Sequence, residues 1–373
     1  MEGMPIRVGP IGVSPSFTIT NFGIDSNVFN DPVDPKSDFT LTATPKVLAR
    51  LRAGRALFSG SLATGLVYYQ EFDDERSVDY AGEGRADVEL GWFRPYVLGS
   101  RTETSERLNI ELDARAPRVQ THLAVGGRLL AGSRTGFVFA AKRSSVRFEE
   151  GSTFEGSDLS RTLSSDVRVF EGGLEYYATP LTTISIVASR QEDRFADAPE
   201  RDADSILVMP SVRMEAPAIV QGSLAVGYRQ FDGLNPALPD YSGVVAKATL
   251  THAFGDATKV DLTASRDVQY SFEETEPYYL LSSVRVTVTR QIRESFDIRG
   301  SAGRDNLDYR SVGVDAADDS RVDHWAVVSA GVGYRYRPTL RFGVDVEYAR
   351  RTSDLPDREY DRTRILGSFT YGF

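Results

Sequence analysis

Apolar and polar residues alternate along this chain with a period of two, in runs of about ten to fifteen residues separated by short breaks. The last run is the plainest. Ile365, Gly367, Phe369, Tyr371 and Phe373 fall on one parity, and Arg364, Leu366, Ser368, Thr370 and Gly372 on the other. In the preceding runs, Val328, Ala330, Val332, Tyr334 and Tyr336 oppose Ser329, Gly331, Gly333, Arg335 and Arg337, while Phe342, Val344, Val346 and Tyr348 oppose Arg341, Gly343, Asp345 and Glu347. Earlier, Ala86, Val88, Leu90 and Trp92 oppose Arg85, Asp87, Glu89 and Gly91, and Val284, Val286 and Val288 oppose Ser283, Arg285 and Thr287. Such alternation predicts strands with one apolar and one polar face. Counting the runs predicts about 18 strands, within a tolerance of about 16 to 20. Apolar parity slips near Asn21, which predicts a bulge, and Pro45 in mid-run tells against a central strand of an ordinary sheet.

The breaks form a second pattern. Short ones at Arg94-Pro95, Gly132 to Arg134, Thr179-Pro180, Gly255-Asp256, Arg293-Glu294 and Pro338-Thr339 interleave with longer, acidic ones. The latter are Asn30 to Lys36, Asp73 to Arg76, Glu149 to Ser157, Ala196 to Asp204, Asp232 to Asp240, Glu273 to Pro277, Gly313 to Ser320 and Asp354 to Asp357. This predicts antiparallel hairpins with tight turns at one end, long loops at the other, and both termini at the short-turn end. None of the long loops reads as long enough to fold inside. Aromatics gather at run ends: Phe72, Tyr80, Phe148, Tyr241, Phe272, Tyr278, Tyr309 and Tyr348 beside the long loops, Trp92, Phe93, Tyr176, Phe254, Tyr334, Tyr336 and Phe373 beside the short turns. Two aromatic girdles at membrane interfaces are the expectation.

A two-faced strand serves a soluble sandwich as well as a membrane barrel. Composition and the terminus separate them. No stretch approaches the roughly 18 consecutive apolar residues of a spanning helix, so any membrane span must be β. The 53 acidic against 43 basic residues, net charge -10, argue against a nucleic-acid partner, and the absence of cysteine excludes disulfides and thiolate chemistry. The aromatic ending resembles the carboxy-terminal signal strand of bacterial outer-membrane barrels, with Gly367, Phe369, Tyr371 and Phe373 as the residues the assembly machinery would read. The expectation is one domain, residues 1–373: an all-β, transmembrane, antiparallel up-and-down barrel in the bacterial outer membrane. Met1-Glu2-Gly3-Met4 has no basic or apolar leader region, so a signal peptide is expected to have been removed.

Asn21-Phe22-Gly23-Ile24-Asp25-Ser26-Asn27-Val28-Phe29 resembles the opening strand of the putative β-barrel porin 2 group. That resemblance implies a porin-like channel or, since some members occur beside polysaccharide secretion genes, an exit for exopolysaccharide. A barrel of this size leaves an aqueous lumen. The expected function is passive diffusion of small hydrophilic solutes or ions, with Arg85, Asp87, Glu89, Arg285, Arg335, Arg341, Asp345 and Glu347 lining the pore. A structural or partner-binding barrel is the third option. Expected partners are outer-membrane lipids, lipopolysaccharide, the assembly machinery and a periplasmic or lumenal protein.

Catalysis is not expected. His122, His252 and His324 lie in separate runs, and there is no Gly-x-Ser-x-Gly elbow. No cofactor or metal site is expected. The acidic clusters Asp73-Asp74-Glu75, Glu273-Glu274-Glu276 and Asp315-Asp318-Asp319 lack EF-hand spacing and read as solvated loops, with a divalent-cation bridge to lipopolysaccharide phosphates as the sharper alternative.

Overall fold

The computed structural model describes residues 4–312 and 321–372. A short strand, Ile6–Val8, doubles back on the first wall strand. The wall itself comprises β1 (Ile11–Asp25), β2 (Asp38–Ala53), β3 (Ala56–Tyr69), β4 (Ser77–Val88), β5 (Phe93–Thr104) and β6 (Arg118–Ala131). It continues with β7 (Thr135–Phe148), β8 (Ser165–Thr179), β9 (Thr182–Phe195), β10 (Ala203–Met214), β11 (Val220–Gly233) and β12 (Tyr241–Phe254). The last six are β13 (Thr258–Tyr270), β14 (Tyr278–Arg293), β15 (Phe296–Arg310), β16 (Val322–Arg337), β17 (Leu340–Thr352) and β18 (Tyr360–Gly372). Each strand pairs antiparallel with its neighbours in sequence, and β18 returns to β1 in register from Ser16–Gly372 to Asp25–Arg364. A closed sheet has no free edge, as hydrocarbon requires, because unpaired backbone groups cost several kcal/mol there. Closure decides for the barrel over the sandwich.

The expected bulge sits where parity slips. Asn21 has φ 53°, and the register shifts between Ile19 and Phe22 against β18 and between Thr20 and Gly23 against β2. A Cβ on Gly23 would lie 1.9 Å from the carbonyl oxygen of Ile365, so only glycine lets β18 approach this closely. Pro45 lies within β2, opposite Phe17. One turn is displaced from its expected place. The chain reverses at residues 89–92, with Gly91 at φ 82°, and Arg94 and Pro95 belong to β5, opposite Arg128 and Gly127. The β4–β5 ladder stops at Asp87–Tyr96, so the missing N–H of Pro95 faces no partner there.

On the outer face, residues such as Phe58, Leu224, Val284 and Val332 are exposed, the surface that lipid would cover. The girdle at the short-turn end is present: Trp92, Tyr176, Phe254, Tyr334 and Tyr336 are exposed. At the long-loop end only part of it is. Tyr80 and Tyr348 are exposed, but Phe148, Phe272, Tyr278 and Tyr309 are buried in cores inside the barrel mouth. Aromatic residues at strand ends carry the same sequence signal whether they face lipid or a core. Phe373 and the expected loop from Gly313 to Ser320 lie outside the described residues.

Candidate functional site: the lumen and its inward loop

The loop joining β5 to β6, residues 105–117, enters the lumen. Asn109 starts the turn by accepting the backbone N–H groups of Glu111 and Leu112 at 3.0 and 2.8 Å. Leu112 is then buried against Phe148, Leu159, Leu163 and Phe272, and Ile110 packs beside Tyr279, Leu307 and Tyr309. This overturns the expectation that no loop folds inside. Leu108, Ile110 and Leu112 alternate with Asn109 and Glu111, so the segment carries the same signature as a wall strand.

A hairpin tip meets this loop from another side. The Tyr270 ring, at the end of β13, lies 4.7 Å from that of Phe195 at the end of β9. Along the wall those strands are four steps apart, roughly 19 Å at the usual strand spacing. The β13–β14 tip has therefore left the wall and crossed the mouth. The β12–β13 ladder ends at Ala246–Arg266. Beyond it, Val268 N donates to Asp267 Oδ1 at 2.9 Å, and Tyr241 Oη donates to the Val244 carbonyl at 3.1 Å, replacing ladder bonds locally.

Buried arginines tie these pieces to the wall. Arg351, on the inner face of β17, donates to Asp113 Oδ2 at 2.9 Å, to the Ile110 carbonyl at 3.1 Å and to Asp323 Oδ2 at 2.6 Å. Arg321 forks onto Asp323 at 3.0 and 2.7 Å and reaches Glu273 and Glu276 at 2.6 and 3.1 Å. Thus Glu273 and Glu276, read as part of a solvated acidic cluster, hold an arginine instead. Arg358 lies over the rings of Phe154 and Phe272 at 5.2 and 5.3 Å and donates to the Glu111 carbonyl and, at 2.5 Å, to Glu155 Oε1. Arg201 donates to the carbonyls of Ser271 at 2.6 Å and Thr162 at 3.2 Å. At the centre, Ser271 Oγ donates to Glu111 Oε1 at 2.6 Å. Burial pushes the Glu111 carboxyl up to about 7, against the smaller opposing pulls of Ser271, Arg358 and Arg351.

Beside the inward loop, against β1, β2, β3 and β18, a cleft of about 200 Å³ remains. Arg107, Arg115, Arg362 and Arg364 line it together with Asp25 and Glu106. Arg107 is fixed by donating to the Asp113 carbonyl at 2.6 Å, and Arg362 by Asp25, whose Oδ1 lies 2.8 Å from its Nε.

Towards the short turns the lumen widens into two charged bays. One, of about 780 Å³, is lined in part by Arg85, Asp87, Glu89, Arg128 and Glu175; the other, of about 510 Å³, by Lys259, Asp261, Asp297, Arg299, Arg335 and Arg341. Of the residues expected to line the pore, Arg85 forks onto Asp87 at 2.7 and 2.6 Å, and Glu89, just past β4, meets Arg52 at 3.4 Å. Arg341 holds Asp297 at 3.1 and 2.6 Å, Glu347 pairs with Arg364, and Arg285 lies 5.8 Å from the centre of the Trp325 ring. Asp345 shares the inner parity of β17, close over Gly331. The eight are thus split between opposite walls rather than gathered into one ring. The loop and cleft residues that narrow the lumen were missed, Arg364 included, because their role depends on where the loop goes.

The histidines stay apart. His122 meets Ser144 Oγ at 2.8 Å, His252 the Ile219 carbonyl at 2.8 Å, and His324 the side-chain oxygen of Asn306 at 2.7 Å. Among the described residues no group of three metal-ligating side chains converges.

The opening motif explains the barrel's closure. Asp25 binds Arg362 of β18; Ser26 N donates to the Thr363 carbonyl at 3.0 Å, and Thr363 N to Ser26 Oγ at 2.8 Å. Asn27 is buried and accepts Asp31 N at 2.9 Å, and Val28 packs on Val67 and Tyr69. The family profile described as putative β-barrel porin 2 matches residues 2–371. The chain belongs to that family. It is an outer-membrane barrel of the porin type.

No curated protein matches the chain significantly. Solved structures share its fold at low identity. OpdK, an outer-membrane protein of Pseudomonas aeruginosa, is 12% identical with a TM-score of 0.52, over 97% of this chain and 99% of that one. OccAB3 of Acinetobacter baumannii is 10% identical with a TM-score of 0.52 over the same shares. OccK9 (OpdG) of Pseudomonas aeruginosa is 12% identical with a TM-score of 0.51, over 97% and 98%.

Proposed function

We propose that this porin-family barrel is a passive channel for small hydrophilic solutes and ions, and that the cleft beside residues 105–117 is its selecting step. The observation that carries this is the combination of an inward loop with a charged cleft between it and the wall. Elsewhere the lumen is wide and lined by paired charges of both signs, which hold water without strong preference. In the cleft, the four guanidinium groups of Arg107, Arg115, Arg362 and Arg364 outnumber the two lining carboxylates, Asp25 and Glu106, while Arg115 and Arg364 are also paired behind the lining with Glu75 and Glu347. A narrow, partly desolvated passage with that balance favours anions modestly, because fewer water molecules screen the charges.

The test is single-channel conductance of the refolded chain in a planar bilayer, with the reversal potential in a salt gradient. A steady conductance with weak anion preference is expected, rising several-fold when residues 106–116 are replaced by a short Gly-Ser linker. If both proteins fold but remain silent, the channel proposal fails. If both conduct equally, the loop is not the selecting step.

A further inference from the structure

On the outer face, the apolar parity of β7, β8, β9 and β10 gives way to charge at the long-loop end. Phe137 and Phe139 are followed on the same parity by Arg143 and Arg147, Ile184 and Ile186 by Arg190, Glu192 and Arg194, and Val208 is preceded by Ile206 and Asp204. On β8, Leu174 and Phe170 lead to Arg168 and Asp166. These charges therefore stand at the level where the hydrocarbon ends.

On that collar, five arginines accompany three carboxylates, and the carboxylates are all engaged. Asp166 binds Arg143 at 3.2 Å and also Arg147; Asp204 binds Arg194 at 2.6 Å and Arg190 at 3.2 Å; Glu192 lies 3.4 Å from Arg190. Arg168 is exposed, and its side chain makes no hydrogen bond or ion pair among the described residues. Its cross-strand neighbour on β7 is Arg143, and on its other side Arg190 stands one step along from its direct partner Glu192. Like charges directly opposite on a sheet face destabilise it. Arg143 and Arg190 are both about three-fifths exposed, their side chains 61% accessible, so their remaining donors point outward rather than into the sheet.

An anion lying over Arg168 would offset the repulsion and take up the free donors. At this depth a chemically apt anion is the phosphate of a membrane lipid, since guanidinium binds phosphate bidentately and anionic headgroups gather beside basic groups at the interface. We propose that Arg143, Arg168 and Arg190 form a binding site for the phosphorylated glycolipid headgroup of the outer leaflet, lipopolysaccharide, on the outer wall of β7–β9. The acyl chains then lie along Phe137, Phe139, Phe170 and Ile186 below. The site is independent of the lumen and of what passes through it. It uses arginine directly, without the divalent-cation bridge that was the alternative reading of the acidic loops.

The experiment is binding of the full refolded chain to phosphatidylcholine vesicles carrying either phosphorylated lipid A or the same lipid enzymatically dephosphorylated. The wild type is expected to bind the phosphorylated lipid at least about tenfold more tightly, a difference that shrinks as salt rises. The triple variant Arg143→Gln, Arg168→Gln, Arg190→Gln is expected to lose that difference, whereas Arg101→Gln, on β5, keeps it. The Lys triple variant, with charge but no fork, is expected to fall between. Equal binding of the two lipids by the wild type, or an unchanged preference in a folded Gln triple variant, overturns the proposal. Folding is checked by the gel mobility of unheated protein.

Discussion

The two ends of this barrel are built by opposite rules. At the short-turn end, β-strands stop at turns of a few residues, apolar side chains face outward, and charged side chains such as Arg335 and Arg341 stand in water-filled bays. At the long-loop end, residues 105–117 and the β13–β14 tip fold into the mouth and build hydrophobic cores around Leu112, Leu159, Phe272 and Tyr278. Charges inside that mouth are buried: Arg351 and Asp323 are 1% and 0% accessible, whereas the Arg341 side chain in the bay is 33% accessible. The wall alone makes a wide tube, and only material brought from the loops narrows it. A membrane barrel thus acquires at one end what a soluble protein has throughout, a packed interior with its polar groups paired.

That contrast makes equivalent substitutions at the two ends differ in the size of their effect. Arg351→Ala leaves Asp323 and Asp113 with a buried partner missing, and should cost about 3–5 kcal/mol in urea unfolding of the folded barrel. Leu112→Ala removes a fully buried side chain from the inward loop and should cost about 2–5 kcal/mol in the same assay, with increased current noise as the loop loosens. Equal and negligible effects of both would mean that the mouth is not packed.

A third test uses pH. Because burial holds the Glu111 carboxyl at about 7, above its ordinary value of 4.5, the docked loop binds a proton that the undocked loop releases. Its contribution to docking is full below about 4.5 and is lost as pH rises through about 7. Conductance should therefore increase between pH 5 and pH 8. The groups acting on Glu111 include Ser271 on the hairpin tip, Arg351 on β17, Arg358 beyond it and Glu273, with Arg201, Tyr279 and Tyr309 also near it. Glu276, lifted to about 6 by burial beside Arg321, titrates in the same window. The contribution of Glu111 is therefore isolated with Glu111→Gln, which should flatten most of the rise. An unchanged pH profile in that variant would remove Glu111 from the account.

The smallest effect belongs to the open end. Arg341→Ala removes a one-third exposed arginine from a buried Asp297 that opens onto the bay, and should cost about 1–2 kcal/mol in stability, less than Arg351→Ala. Its signature should instead be a shift of the reversal potential towards cations, since Asp297 loses its neutralising partner in the bay.

The wall was legible because a membrane imposes a rule on every residue in it: one parity meets lipid and the other meets water. Val344 and Asp345 or Phe369 and Thr370 therefore declare their faces in the chain itself. The bulge at Asn21 was legible for the same reason, as an error in that alternation. Other features were not. Arg94-Pro95 resembles a turn, yet Gly91 makes the turn, because a left-handed residue reverses the chain more readily than a proline does. Phe148 and Tyr309 resemble girdle residues, yet they face cores, because the outcome depends on whether a loop covers them. Residues 108–112 resemble a strand, yet they form the inward loop, because alternation describes two environments without saying which two.

The sequence by itself determined the strand number, the faces, the order of short turns and long loops, and, through Asn21 to Phe29, the family. All of these depend on local periodicity or on a contiguous motif. Tertiary structure alone decided that the mouth is narrowed, that Glu111 is buried beneath Ser271, and that Arg351, beside Asp323, reaches Asp113 across 238 residues of chain. Those contacts join segments whose separation along the chain far exceeds any repeat. They form only once the closed wall holds the loops above a common lumen, where docking together buries apolar surface that no single loop could bury alone.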